Sequence, residues 1–237
     1  MNLTYRRTGR SRGAERPSRR RPAILSRVGD GPSSVNRRTL ERHLQELDGF
    51  ADPQVAFEQY PTPADIAAHV VHLAAVQGDL SRPVVDLGSG TGLLALGAAL
   101  AGAPAVVGVE LDADALTTAR ENTRRLDTPT APAWVRGDAT RLPLRLDGVT
   151  VFSNPPFGAQ RGNEHADRAF LRTAAAVADV SYTIHNAGSR AFVDSFAADH
   201  AGEVTHAFAA AFDVDRQFDF HTDDRRTIET EVFRIEW

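Results

Sequence analysis

Four consecutive residues, Asn154-Pro155-Pro156-Phe157, put an amide oxygen, a proline-fixed backbone carbonyl and an aromatic ring into one short loop. An exocyclic amine on a heteroaromatic ring is a poor nucleophile because its lone pair is delocalised into the ring. The Asn154 side-chain oxygen and the Pro155 carbonyl can each accept one amine hydrogen, which favours a pyramidal nitrogen with its lone pair aimed at an electrophilic carbon. Pro155 and Pro156 stiffen the loop. Phe157 can stack on a base taken out of its helix, and Gly158 lets the chain turn away. This is chemistry suited to methylating a planar amino nitrogen; the plainer alternative is a proline-rich loop that closes a strand.

Upstream stands Asp86-Leu-Gly88-Ser-Gly90-Thr91-Gly92, between a hydrophobic strand and a helix. Bare backbone there lets a ligand approach closely. Leu93 occupies the place where a dinucleotide fingerprint has its third glycine, and the chain has no lysine for a phosphate cradle. S-adenosylmethionine carries no phosphate, and it fits a loop lacking both features, although a structural turn would also account for the glycines. Glu110, at the end of the next strand, stands where an acidic residue accepts hydrogen bonds from both ribose hydroxyls. Asp112 reads as the cap of the following helix. Asp138, after the third strand, can accept the adenine amino group of the cofactor or be an ordinary turn aspartate.

These residues need a frame, and alternation supplies one. Leu40, Leu44 and Leu47 predict a helix from Arg37, stopped at Gly49. A second helix runs from about Asp65 to Gln77, capped by Asp65 or Thr62. Strands are expected at Pro83–Leu87, Ala105–Glu110, Ala133–Arg136, Val149–Ser153 and Ser181–Ile184. Helices are expected at Leu93–Leu100, Ala113–Leu126, Ala166–Ala178 and Arg190–His200. Two longer strands, near Glu203–Phe212 and Arg226–Glu236, close the chain as a hairpin with one strand antiparallel to the rest. The pattern predicts an α/β fold, a doubly wound, mostly parallel Rossmann-like sheet with helices on both faces.

Composition narrows the class. A chain of 237 residues, 42% hydrophobic, can bury a sizeable core. Without cysteine, disulfides and thiolate zinc sites are excluded. No apolar run approaches the roughly 20 residues that span a bilayer, and no apolar signal core opens the chain, so a soluble cytoplasmic protein is expected. His69 and His72 share a helix face, but no carboxylate joins them in a ligand pattern, and no metal is expected. Residues 1–38 hold eleven arginines against Glu15 and Asp30, while the remainder is acidic. Residues 1–36 have too few apolar side chains to offset ordering entropy and read as a disordered extension. That extension is either a basic arm for nucleic acid or the product of an early start site, with Val35 marking the native one. The methyltransferase domain then spans 37–237. The acidic, lysine-free body suggests a salt-loving organism; codon bias would explain the arginine but not the acidity.

From about Arg38 onward the chain resembles the methyltransferase-like protein 5 family, enzymes that methylate N6 of an adenine in small-subunit ribosomal RNA. The resemblance rests on Leu40 to Phe50, Glu58-Gln-Tyr-Pro-Thr62, the Asp86–Gly92 loop and Asn154 to Gly158. It extends to Asp167 with Ala169-Phe-Leu171, Tyr182 to His185, Phe220-His221 and the closing strand. It implies a class I S-adenosylmethionine-dependent fold, an archaeal source, and cofactor contacts at Gln59, Thr62, Gly88, Thr91, Leu93, Glu110, Asp138 and Ala139. Asp86 and Gly90 belong to the same loop. It also implies a small zinc-containing activator that adds a strand to the sheet. The edge strand carrying Trp134 and Val135 is the expected docking place; the alternative is that both side chains pack against the domain's own helices. The segment from His221 to Arg226 departs from the lysine-rich stretch of relatives. A glutamine-modifying release-factor methyltransferase, a guanine-N2 or DNA-adenine enzyme, and a catalytically idle RNA-binding module stay open as alternatives.

Overall fold

The computed structural model describes residues 36–54, 58–156, 166–215 and 225–237. The Arg-rich extension up to Val35, Phe157 with Gly158, and Phe220 to Asp224 lie outside these residues.

In chain order the elements are α1 (Arg37–Gln45), α2 (Ala64–Val76), β1 (Val84–Leu87), α3 (Leu93–Leu100), β2 (Val106–Glu110), α4 (Ala113–Arg125) and β3 (Ala133–Arg136). They continue with β4 (Val149–Ser153), α5 (Ala166–Val177), β5 (Ala178–Asn186), α6 (Arg190–Asp199), β6 (Glu203–Asp215) and β7 (Arg225–Glu236). The sheet order is β3-β2-β1-β4-β5-β7-β6. Strands β1 to β5 pair in parallel, and β7 lies antiparallel between β5 and β6. This is the doubly wound, mostly parallel sheet expected from the alternation, in the class I methyltransferase order that the family resemblance implies.

Period-two alternation places neighbouring residues in different layers. In β4, Phe152 joins the cluster built by α1, α2 and α3 with Leu40, Val71 and Ala95, while Val151 joins the opposite cluster with Val85, Val109 and Phe170. Asn36 caps α1 by accepting the Thr39 N–H at 2.9 Å, and the buried Leu40 and Leu44 seat that helix on α2 and α3.

Three local expectations need correction. Neither Asp65 nor Thr62 caps α2: Pro63 holds that position with no side-chain bond, and the Thr62 hydroxyl is engaged by Asn154 instead. Strand β5 has nine residues where four were expected. It lies between β4 and β7 and is buried on both faces, so it lacks the alternation that marks a half-buried strand. It also begins immediately where α5 ends, with no loop to signal the change. Finally, β3 is an edge as expected, but Trp134 is not offered outward. Its indole lies over Gly108 and Gly92, where an added Cβ would stand 2.3 and 2.5 Å from ring carbons, and its N–H donates to Thr123 Oγ1 at 3.0 Å. Val135 packs into the domain's own core as well.

The hairpin is fastened by a buried charge. Asp79, in a 3₁₀ turn after α2, accepts from Arg234 Nε at 2.8 Å, Arg234 Nη2 at 3.1 Å and the Tyr182 hydroxyl at 2.6 Å. Its backbone carbonyl accepts from Thr150 Oγ1 at 2.8 Å. Burial, then the Asp79 carboxylate, pushes the Tyr182 phenol up, so it stays a donor.

Candidate active site

The strand order reverses between β1 and β4, the switch point at which open α/β sheets bind ligands. The register pairs Leu87 with Ser153, so the glycine loop and the Asn154 loop leave the sheet side by side. A cavity of about 510 Å³ opens there, within the usual range for a small-molecule site. Its walls bring together Gln59, Thr62, Asp86, Gly88, Gly90, Thr91, Leu93, Glu110, Asp138, Ala139, Asn154 and Pro156. Pro155 instead faces a small neighbouring cleft with Asp167, His185 and Ser189. Phe157 lies outside the described residues.

At Gly90 the backbone takes a φ of +52°, and an added Cβ would stand 2.9 Å from the Phe50 ring. That position therefore needs glycine for both conformation and space. The loop is tied to the next strand: the Gly90 N–H donates to Glu110 Oε2 at 2.8 Å, and Glu110 Oε1 accepts from the Leu111 and Asp112 N–H groups at 2.7 and 2.9 Å. The carboxylate is thus held at the cavity rim by backbone donors. As expected, Asp112 caps α4, accepting the Asp114 N–H at 3.0 Å.

Asp86 is the most perturbed acid in the site. Oδ2 accepts the Ala95 N–H at 3.0 Å, while Oδ1 is buried with no partner. Burial pushes its carboxyl up to about 7; the Ala95 N–H pulls the other way and Glu110 adds a further push upward. Ser89 Oγ is likewise buried and without a partner. A ligand ammonium could donate to Asp86 Oδ1, and a small polar group could pair with Ser89 Oγ. Asp138 accepts the Thr140 N–H at 2.8 Å and the Thr140 hydroxyl at 2.6 Å, both on Oδ1, which with the hydroxyl bond foremost hold its carboxyl below the usual range.

The leading segment closes one side. Gln59 accepts the Gln54 N–H at 2.7 Å and donates to Asp112 Oδ2 at 2.7 Å, so its amide moors the segment to the start of α4. Asn122, fully buried on α4, accepts the Asp48 N–H at 3.0 Å and donates to the Asp48 and Thr91 carbonyls at 2.9 and 3.1 Å. One side chain therefore stitches the loop after α1 to the glycine loop. Sequence reasoning missed Asn122; the available signal was an amide in the interior of a helix, where that residue is disfavoured. It also missed Phe50, Ser89, Leu111 and Phe170 on the cavity wall.

Asn154 completes the site. Its Nδ2 donates to Thr62 Oγ1 at 3.0 Å, while Oδ1 is buried and has no partner. Asn154 thus lines the cavity at the carboxyl end of β4 with its acceptor unpaired. Beneath the loop, Ser153 Oγ donates to Thr183 Oγ1 at 3.1 Å and Thr183 Oγ1 lies 2.9 Å from His185 Nε2. Burial pushes His185 down to about 4, with Asp167 opposing, so the ring is neutral.

Comparison with known proteins agrees with this geometry. The family model of the methyltransferase small domain matches residues 63–181. The rRNA N(6)-adenosine-methyltransferase Mettl5 of Drosophila melanogaster is 34% identical over 84% of this chain and 95% of its own length. The chain belongs to the methyltransferase-like protein 5 family. An uncharacterized protein of Methanocaldococcus jannaschii is 33% identical over 85% of this chain and 94% of its own. A crystal structure from Pyrococcus horikoshii, described as a candidate RNA methyltransferase, superposes with a TM-score of 0.76 at 37% identity, covering 84% of this chain and 97% of that one. Methyltransferase-like protein 5 relatives thus match from the leading helix to the last strand, and S-adenosylmethionine is the cofactor of the family. Among the described residues no helix is long and apolar enough to cross a membrane.

Proposed function

We propose that this chain methylates N6 of an adenine in small-subunit ribosomal RNA. The observation that carries this reading is the buried, unpartnered Oδ1 of Asn154 on the wall of the cofactor cavity. An unpaired acceptor of this kind supports the reading, in a chain related over more than four-fifths of its length to rRNA adenine N6-methyltransferases.

S-adenosylmethionine, when bound, supplies an electrophilic methyl group on a sulfonium. Glu110 would hold the ribose hydroxyls and Asp138 the adenine amino group. The loop from Asp86 to Leu93, with Gln59, Thr62 and Ala139, would enclose the rest. Asn154 Oδ1 and the Pro155 carbonyl then accept the two hydrogens of the target amine and direct its lone pair into the cavity. Pro156 closes the wall between target and cofactor, and Phe157 stacks on the target base. The small zinc-containing activator of relatives is the expected partner. It would pair with the free backbone edge of β3, because the Trp134 side chain is spent inside the domain. Co-expression with the host's activator homologue and pull-down tests that; no complex with the parent chain would remove the partner.

The test of function is methyl transfer from labelled cofactor to ribosomal RNA from a strain lacking the gene, with nucleoside analysis of each subunit's RNA. One new N6-methyladenosine in the small-subunit RNA is expected. Label on a release-factor glutamine, on guanine or on DNA would replace this reading with one of its rivals, and cofactor binding without transfer to any acceptor would leave an idle binding module.

A further inference from the structure

We propose that the acceptor RNA crosses the beginnings of α5 and α6, where the Arg168 guanidinium, laid against Phe192 and Phe196, holds a phosphate beside the target nucleotide. This rests on the proposed function and adds to it a surface for the substrate, outside the cofactor cavity.

Direct methyl transfer sets the nucleophile and the departing sulfur on opposite sides of the methyl carbon. The target amine must therefore reach Asn154 from the side away from the cofactor cavity, and the Asn154 loop marks that side. Pro156 lines both the cavity and the small cleft beyond it, so the loop stands between them as a partition. The cleft is bounded by Pro155 and Pro156, by His185 near the end of β5, and by Asp167 and Ser189 at the starts of α5 and α6. Rings continue outward from it. The His185 ring lies 6.3 Å from Phe192, and Phe192 lies 6.2 Å from Phe196. Arg168 rests over both phenylalanines, its guanidinium carbon 5.3 Å from the centre of the first ring and 5.9 Å from that of the second.

Charge singles out Arg168 within this strip. The chain beyond residue 38 is acidic, so an exposed cation beside the reacting loop stands out. The neighbouring charges are already engaged. Arg190 pairs with Asp194 at 2.8 Å, and the Asp167 carboxylate turns back to accept the Arg168 backbone N–H at 2.6 Å. Among the described residues no carboxylate pairs with the Arg168 guanidinium, whose contacts are the two rings. Those rings restrict a long side chain without neutralising it. A guanidinium held in this way can offer a phosphate two parallel N–H groups. Arg172, one turn further along α5, is exposed too and carries the positive strip away from the cleft. Nucleic acid gains affinity chiefly through such phosphate contacts.

The test measures binding and turnover with unmethylated ribosomal RNA from the strain lacking the gene, over a salt range in which melting shows every variant folded. Arg168→Gln should raise Kd and KM for that RNA roughly 10-fold, the low end for a hydrogen bond to a charged group. It should also flatten the slope of log affinity against log salt by about 0.7 to 0.9, the share of one phosphate. Turnover at saturating RNA, calorimetric affinity for S-adenosylmethionine and the melting temperature stay near parental values, a split that damage to the fold would not give. Arg168→Lys keeps the charge but not the fork, and should regain the salt slope with only part of the affinity. Arg124→Gln, on α4 against β2 and β3 toward the opposite edge of the sheet, controls for overall charge and should change neither quantity. Parental KM and salt slope in Arg168→Gln, a loss confined to kcat, or an equal loss in Arg124→Gln would each overturn the inference. A parent chain that transfers no methyl group to this RNA would overturn the proposed function first.

Discussion

Two buried polar clusters lie along the same sheet, and they are satisfied to different degrees. Around Asp79, toward the amino ends of β1 and β4, both carboxylate oxygens and the backbone carbonyl have partners: Arg234, Tyr182 and Thr150. Around the cavity at the carboxyl ends, Asp86 Oδ1, Ser89 Oγ and Asn154 Oδ1 are buried with none. Burying a polar group without a partner costs stability. Among the described residues, these three atoms carry that cost at the cavity end, where a ligand can remove it; His72 Nδ1, on α2, is a further buried atom without a partner. Completeness of hydrogen bonding thus separates the part that holds the hairpin from the part that does chemistry, and substitutions at the two ends should fail in different ways.

The largest effect is expected at the satisfied end. Arg234→Ala breaks a buried ion pair and leaves Asp79 only the more distant, half-exposed Arg82 at 3.9 Å; losing one partner of a buried pair typically costs about 3–5 kcal/mol. Thermal or denaturant unfolding should show that loss, with cofactor affinity of the folded fraction unchanged. Retained stability would mean that the ion pair is not what secures β7. At the open end, Asn154→Ala should reverse the pattern, losing turnover by about 100- to 1000-fold, as for one preorganised group removed, with unchanged melting and nearly unchanged cofactor binding. Near-parental turnover would break the comparison.

Glu110→Ala should weaken S-adenosylmethionine binding by roughly 10- to 100-fold, the range for hydrogen bonds to a charged group, and should affect turnover at saturating cofactor less. Calorimetry beside a saturation curve separates the two. Asp86 gives the comparison a pH axis. Its folded carboxyl titrates near 7 against an ordinary value of 3.8. The folded protein therefore holds the proton more tightly, and the stability this group contributes is fully present below about pH 4 and lost as pH rises through about 7. Asp86→Asn imitates the protonated form. It should raise the melting temperature of the cofactor-free protein at pH 8 more than at pH 5, while weakening cofactor binding at pH 8. An equal shift at both pH values would show that Asp86 is not a strained acid. The smallest effect belongs to residues 1–34, which are rich in arginine and poor in apolar side chains. Their removal should leave melting and cofactor affinity as they were, and a loss of cooperative unfolding would move the domain boundary.

Sequence disclosed the open end far better than the satisfied one. Short-range rules sufficed where a motif is contiguous: Val149–Ser153 and Ala133–Arg136 fall where alternation put them, and Asp112 caps α4 as its position before a helical run implies. Glu110 was singled out by its distance from the glycine loop, and it lines the cavity. What escaped was pairing across the fold. Asp79 meets Arg234 across 155 residues, and Asn122 meets Asp48 across 74; no local pattern signals either. Trp134 misled for a related reason. Its strand is an edge, yet the glycines that make room for the indole, Gly92 and Gly108, sit on other elements and were read for other purposes. Thr62 was read as a cap because Thr precedes helices often, and only the folded chain shows Asn154 beside it.

The separation of the Asp79 cluster along the chain also bears on synthesis. A polypeptide emerging residue by residue has every described wall of the cavity, from Phe50 to Phe170, before β7 exists, since Tyr182 follows Asp79 by 103 residues and Arg234 by 155. Until then Asp79 has a growing sheet around it and, for a cation, only the half-exposed Arg82, 3.9 Å from Oδ1. A nascent chain arrested after β5 should therefore present an assembled pocket on a scaffold that cannot yet keep its shape, and the finished hairpin is what makes that pocket last.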